Sequence, residues 1–209
     1  MTGSPPAPWI AAPADGLCLD FANTRFWRGT AAPTEQLASV GDLIGWCADH
    51  AGLPASARND LARWAQEQSG AAAALLAEAL ELREAIYRLF HGTTGQAAPA
   101  PAELAPLNRA LAAAAPRRSV ERQAAGFGWR IAPGEAAAPL LLSPVLWSAG
   151  DLLVSPRLAR VRSCANPDCV WLFLDDSKSG NRRWCAMSAC GNRAKAHRHY
   201  ARKKGAAAP

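Results

Sequence analysis

A mainly helical α+β fold, closed by a compact cysteine-bearing module, is what this chain predicts, and three observations carry the prediction. Apolar residues recur at intervals of three and four through Ala71–His91, where Leu75, Leu76, Ala79, Leu82, Ile86, Leu89 and Phe90 line one face of a long helix. One hairpin pattern, Arg118–Gln123 and Phe127–Ile131 around Ala-Ala-Gly, supplies the small β element. Four of the six cysteines form two pairs near the C-terminus, Cys164/Cys169 and Cys185/Cys190, with four residues inside each pair and fifteen between them. At 209 residues the length suits one medium domain plus a small module.

The elements follow in order. Residues 1–16 are rich in Pro, Ala and Gly and are expected to be a flexible N-terminus. Leu17–Thr24 is too short to decide between helix and strand, and Cys18 within it reads as a small buried hydrophobe. Phe26, Trp27 and Arg28 fit a turn packed on the core. Ser39 is positioned to cap a helix over Val40–Ala51, which Gly52 ends. Pro54 fits the first position of the next helix, which runs to about Gln68. Gly92 closes the long helix, and another alanine-rich helix spans Pro101–Ala115. Ala137–Val154 is apolar and helical, with Pro144 near its start. Residues 17–156 therefore form a mostly helical domain, and 157–205 form the module.

That domain offers no phosphate-binding glycine loop, no nucleophile elbow and no H-E-x-x-H pair, so no catalytic residue is assigned and the chain is not expected to be an enzyme. His50 and His91 sit in the last turns of their helices, where a histidine suits the dipole. No stretch is apolar enough to span a membrane and the N-terminus lacks a secretory pattern, so a cytoplasmic protein is expected.

In a reducing compartment paired cysteines favour metal over disulfides, and Cys164, Cys169, Cys185 and Cys190 could complete a tetrahedron of thiolates around one structural zinc ion. Four thiolates suit zinc over oxygen-preferring cations and leave no open position for a catalytic water. Iron–sulfur ligation lacks its usual clustered spacing, and His197 or His199 is an alternative fourth ligand. Cys164-Ala-Asn-Pro-Asp-Cys169 makes a knuckle, Val170–Leu174 a strand, Arg182–Cys185 its returning partner, and Cys190 opens a helix running to Lys204. Knuckle, β-hairpin and helix outline a treble-clef-like finger. In so small a unit the metal would supply most of the folding energy, about 10–16 kcal/mol by analogy with zinc fingers, so chelation is expected to melt this end alone.

Charge is concentrated at the same end. Residues 157–209 hold twelve Lys and Arg against Asp168, Asp175 and Asp176, a net of +9 in a chain whose total is +6. At about 100° per residue, Cys190, Ala194, His197 and Ala201 share one helix face, and Lys195, Arg198, His199, Arg202 and Lys203 occupy the other. Arg182, Arg183, Arg193, Lys195, Arg198, Arg202 and Lys203 are the candidate nucleic-acid contacts, through phosphates above all. A solvated basic tail, or a surface for RNA or an acidic protein, is the competing reading.

Trp184–Lys195, WCAMSACGNRAK, resembles the CGNR zinc finger family through Cys190-Gly191-Asn192-Arg193. The likeness extends through Cys164–Cys169, Trp171–Asp175, Arg182–Trp184 and His199-Tyr200. Leu17–Thr24, Leu82-Arg83-Glu84 and Pro144–Pro156 resemble the ABATE-type domain found with that finger. The resemblance implies a bacterial zinc-binding protein proposed as a stress-related transcription regulator, with DNA as its partner through the finger. In that reading the N-terminal domain senses a small-molecule effector or forms a homodimer. A small-molecule-binding domain carrying an accessory finger is the alternative.

Overall fold

The computed structural model describes residues 9–95, 99–123, 126–132, 138–197 and 200. In chain order these form β1 (Trp9–Ala11), α1 (Leu17–Ala22), β2 (Arg25–Phe26), β3 (Thr34–Glu35), α2 (Val40–His50), α3 (Ala55–Glu67) and α4 (Ser69–Thr93). Next come α5 (Pro101–Ala113), β4 (Val120–Gln123), β5 (Gly126–Ile131), α6 (Ala138–Leu141), α7 (Ser143–Val154), a 3₁₀ turn (Pro156–Arg160), β6 (Val161–Ser163) and β7 (Leu172–Leu174). A π-type turn over Met187–Gly191 leads into helical residues 192–197. The mainly helical architecture with small antiparallel sheets is as the periodicity predicts.

Two local signals hold closely. Ser39 caps α2 through a reciprocal pair of bonds with Asp42, and Gly52 takes the left-handed φ of 76° that ends the chain's helical run there. α4 extends two residues beyond each end of the predicted helix and packs against α1, α2, α3 and α5, so the domain is built around it.

Three expectations need correction, and the undecided Leu17–Thr24 stretch is resolved. The flexible N-terminus is in part a strand: Trp9 and Ala11 are buried, and β1 pairs antiparallel with β5 (Trp9↔Ile131, Ala11↔Trp129). The hairpin β4–β5 supplies the open edge, which no local composition reveals, and Gly128 admits the crossing because a Cβ there would sit 2.6 Å from Ile10 Cγ2. Leu17–Ala22 is a helix with five of its six residues buried, too enclosed to show an amphipathic period. Pro54 precedes the first turn of α3 as its cap. The apolar run after residue 137 is broken: Leu142 separates α6 from α7, and the Ser143 hydroxyl donates toward the Pro139 and Leu140 carbonyls at 2.9 and 2.8 Å.

Charge inside the domain is the larger surprise. Arg83, on α4, is 2% exposed and grips Glu35 of β3 through both carboxylate oxygens at 2.5 and 2.7 Å, with Thr24 Oγ1 at 3.3 Å. Its neighbour Glu84 accepts from Arg28 Nη1 at 2.7 Å and from Arg83 Nε at 3.0 Å. Arg28 also donates to the Ala22 carbonyl and lies 3.9 Å above the Tyr87 ring. Burial alone would raise the Glu84 carboxyl, but the hydrogen bonds and charges of Arg28 and Arg83 together outweigh it and the net direction is down. Such a group stabilises the fold at pH above the usual carboxylate range, and its contribution is lost as pH falls through the lowered value.

Glu84→Ala leaves the buried Arg28 guanidinium without its carboxylate, while Arg83 keeps Glu35, and should cost about 3 kcal/mol in urea unfolding. Asp151→Ala, which removes the exposed partner of Arg117, should cost less than about 1 kcal/mol. The acid limb of the stability profile should be shallower in Glu84→Ala than in the wild type.

Candidate metal centre

The knuckle forms because Asn166 gathers it. Its carbonyl accepts from the amides of Cys169 and Val170 at 2.9 and 3.1 Å, and its Oδ1 accepts from the Asp168 amide at 3.1 Å. Its Nδ2 donates to Cys190 Sγ at 3.5 Å, tying the first cysteine pair to the second. β6 and β7 flank the knuckle and pair antiparallel (Val161↔Leu174, Ser163↔Leu172). The hairpin of the finger is therefore made from the strand before Cys164. Arg182–Cys185, expected to be the return strand, forms no ladder and contributes one backbone bond, Ala165 N to Arg183 O at 2.9 Å.

The reason is Asp175. Fully buried, it accepts from Ser177 Oγ, the Ser177 amide and the Arg182 amide at 2.5, 3.1 and 2.8 Å, which wraps the chain around a carboxylate instead of a hairpin turn. Those bonds, the Ser177 hydroxyl first, hold its carboxyl below the usual range. Arg182 then lies 4.7 Å over the Phe173 ring and donates to the carbonyls of Trp184 and Cys185, so it orients the third cysteine.

Cys164, Cys169, Cys185 and Cys190 bring their sulfur atoms within 4.8 Å of one another. Two edges of the cluster are short, Cys169–Cys185 at 3.7 Å and Cys185–Cys190 at 3.8 Å. A tetrahedron with sulfur about 2.3 Å from zinc has edges of about 3.8 Å, whereas a disulfide needs sulfurs at about 2.05 Å. The four thiols are free and fit one structural zinc ion. Their electrostatics suit a bound cation. Cys169 is drawn down to about 6, first because the Cys185 thiol donates to it, and Cys185 is driven up in consequence. Only a bound cation lets all four be thiolates together. Cys18 and Cys47 lie in the helical core, where burial pushes each up to about 12.

Of the alternative ligands, His197 is exposed and outside the cluster, and His199 lies outside the described residues. Ala194 is half-buried on the face expected to meet the knuckle, but His197, assigned to the same face, is not covered. Among the candidate nucleic-acid contacts, Lys195 is exposed, while Arg183 lies 5.3 Å from the Trp184 ring. Arg182 is held as described, and Arg193 lies 4.5 Å over the Trp27 ring. Arg198, Arg202 and Lys203 lie outside the described residues.

Trp27 is the residue that sequence reasoning missed. It packs with Trp171 and Trp184 against the cluster of Cys164, Cys169, Phe173 and Cys190, although it belongs to the loop after β2. The finger is bonded to the helical domain elsewhere too. The Asn23 side chain takes both polar groups of Leu172, at 2.7 and 3.0 Å, and Tyr87 Oη donates to the Val170 carbonyl at 3.0 Å. Val161 and Leu172 are members of the main core. The finger therefore shares packing with the helical domain. No sequence signal joins a Trp in an early loop to cysteines at the other end of the chain.

Residues 15–156 match the model of the ABATE family, described as "Putative stress-induced transcription regulator", and residues 160–203 match the CGNR zinc finger. No curated protein matches the chain significantly. Neither matching model is that of an enzyme family.

Purified protein should carry one zinc per chain by elemental analysis. Cys164→Ser and Cys190→Ser should each lose it, and Cys18→Ala and Cys47→Ala should retain it. Retention in Cys190→Ser would remove the fourth cysteine from the site.

Proposed function

Because the chain belongs to the ABATE family and carries a CGNR zinc finger, we propose that it is a DNA-binding transcription regulator. The zinc site presents the helix after Cys190 to nucleic-acid phosphates. The observation that carries this reading is the exposed Lys195 on helical residues 192–197, within a C-terminal segment of net charge +9. Like charges at this density destabilise a helix unless an anion neutralises them. Lys195 and Arg183, with Arg198, Arg202 and Lys203, make the phosphate contacts. Arg182 and Arg193 support the finger that presents them, since their guanidinium groups are engaged within the protein. Trp184 is half-buried against the cysteines, which disfavours single-stranded RNA stacked on aromatic rings.

The helical domain senses an effector or dimerises in this proposal, and no catalytic step is assigned to it. A cleft of about 1000 Å³ lined by Arg25, Glu35, Glu84, Arg88 and Arg109 favours the effector role. No described helix is long and apolar enough to cross a membrane, and a regulator of this kind works in the cytoplasm.

Affinity for duplex DNA should fall steeply as salt rises, with a slope of about 0.9 per phosphate contact. Lys195→Glu and Arg198→Glu should weaken binding and each reduce that slope by about 1 while zinc content stays unchanged. Chelation should abolish binding. Affinity that survives chelation unchanged, or single-stranded RNA competing better than duplex, would sink the proposal.

A further inference from the structure

We propose that Trp27 and Arg193 form a clasp through which the helical domain keeps zinc in the finger. Metal release requires the four sulfurs to separate. The second cysteine pair can swing away only with the helix that follows Cys190. Arg193, three residues beyond Cys190, lies 4.5 Å over the ring of Trp27, and the same ring packs against the cysteine cluster. One side chain of the helical domain therefore both walls the site and holds the helix that follows its second cysteine pair.

The backbone around this contact is unusual on both sides. Trp27 and Val170 are the non-glycine residues with positive φ among the described residues, at 55° and 47°. For bulky and β-branched side chains that conformation is unfavourable and persists only where the surroundings impose it. Here they do. Thr30 closes the Trp27 turn through its amide and hydroxyl, both donating to the Trp27 carbonyl at 3.0 and 2.8 Å. Tyr87 holds the Val170 carbonyl from the other side. Gly29 N donates to the Asp168 carbonyl at 3.2 Å, and any Cβ at Gly29 would fall 1.7 Å from the Pro167 carbonyl oxygen. Loop and knuckle thus touch backbone to backbone. The contact reaches α4 through Tyr87, whose ring carries Arg28 and, through it, Glu84.

The test follows zinc transfer from the loaded full-length protein to an excess of a chromophoric chelator. Arg193→Ala and Trp27→Leu should each release zinc roughly 2- to 30-fold faster than wild type, the range expected for a cation–π contact from exposed to desolvated. Trp27→Phe, which keeps a π face, should retain most of the wild-type rate. The double variant should release no faster than Trp27→Leu, because both substitutions break one contact. Lys195→Ala, which removes a cation from the same helix, should be unaffected. Hydrogen exchange should show the amides of residues 27–30 losing protection when zinc is removed. Wild-type release from Arg193→Ala and Trp27→Leu would overturn the clasp. So would additive effects in the double variant, or equal acceleration by Lys195→Ala, which would assign the effect to charge alone.

Discussion

Four sulfur atoms within 4.8 Å of one another cannot all carry charge without a cation, and that electrostatic requirement organises the C-terminal finger. The knuckle around Asn166, the wrap around Asp175 and the Arg182 brace on the Cys185 carbonyl each bring one part of the cluster to its position. None of them makes sense as an isolated loop. Together they hold four donors, two of whose edges match those of a zinc tetrahedron. A structural metal of this kind contributes folding free energy directly, so the geometry of the finger and its occupancy are two aspects of one equilibrium.

That equilibrium extends past the finger because the helical domain supplies part of its wall. α4 lies at the centre of the arrangement. Arg83 and Glu84 connect it to Glu35 and Arg28, and Tyr87 one turn further on reaches the knuckle. Asn23, at the end of α1, grips the backbone of β7. The family's domain and finger are therefore packed as one continuous body in this chain, with Leu172 and Val161 in the core they share. This arrangement gives the proposed regulator a physical route by which an event in the helical domain can alter the finger.

Much of the fold was legible in the residues. The α4 periodicity, the Ser39 cap, Gly52 and the β4–β5 hairpin are local signals, and local physics decides them. The four ligands were legible for the same reason, since paired thiols at short spacing have few uses in a reducing compartment. The strand at Trp9–Ala11 was not legible, because its hydrogen-bonding edge comes from β5. Nor was Arg83: a charged residue beside a leucine on a helix reads as solvated until Glu35 is placed opposite it. Similarly, Arg182–Cys185 reads as a strand until buried Asp175 captures the Arg182 amide.

The residues by themselves determined the helical class, the four-thiolate metal site and the basic character of the C-terminal end. Each follows from spacing or composition within a short window, where side-chain chemistry and backbone period act directly. Only the tertiary structure decided that Trp27 walls the site, that Arg193 rests on it and that Arg182 is a brace. Those roles depend on which surfaces meet across the chain. A guanidinium group carries the same charge whether it faces solvent or an aromatic ring, and only its neighbours distinguish the two.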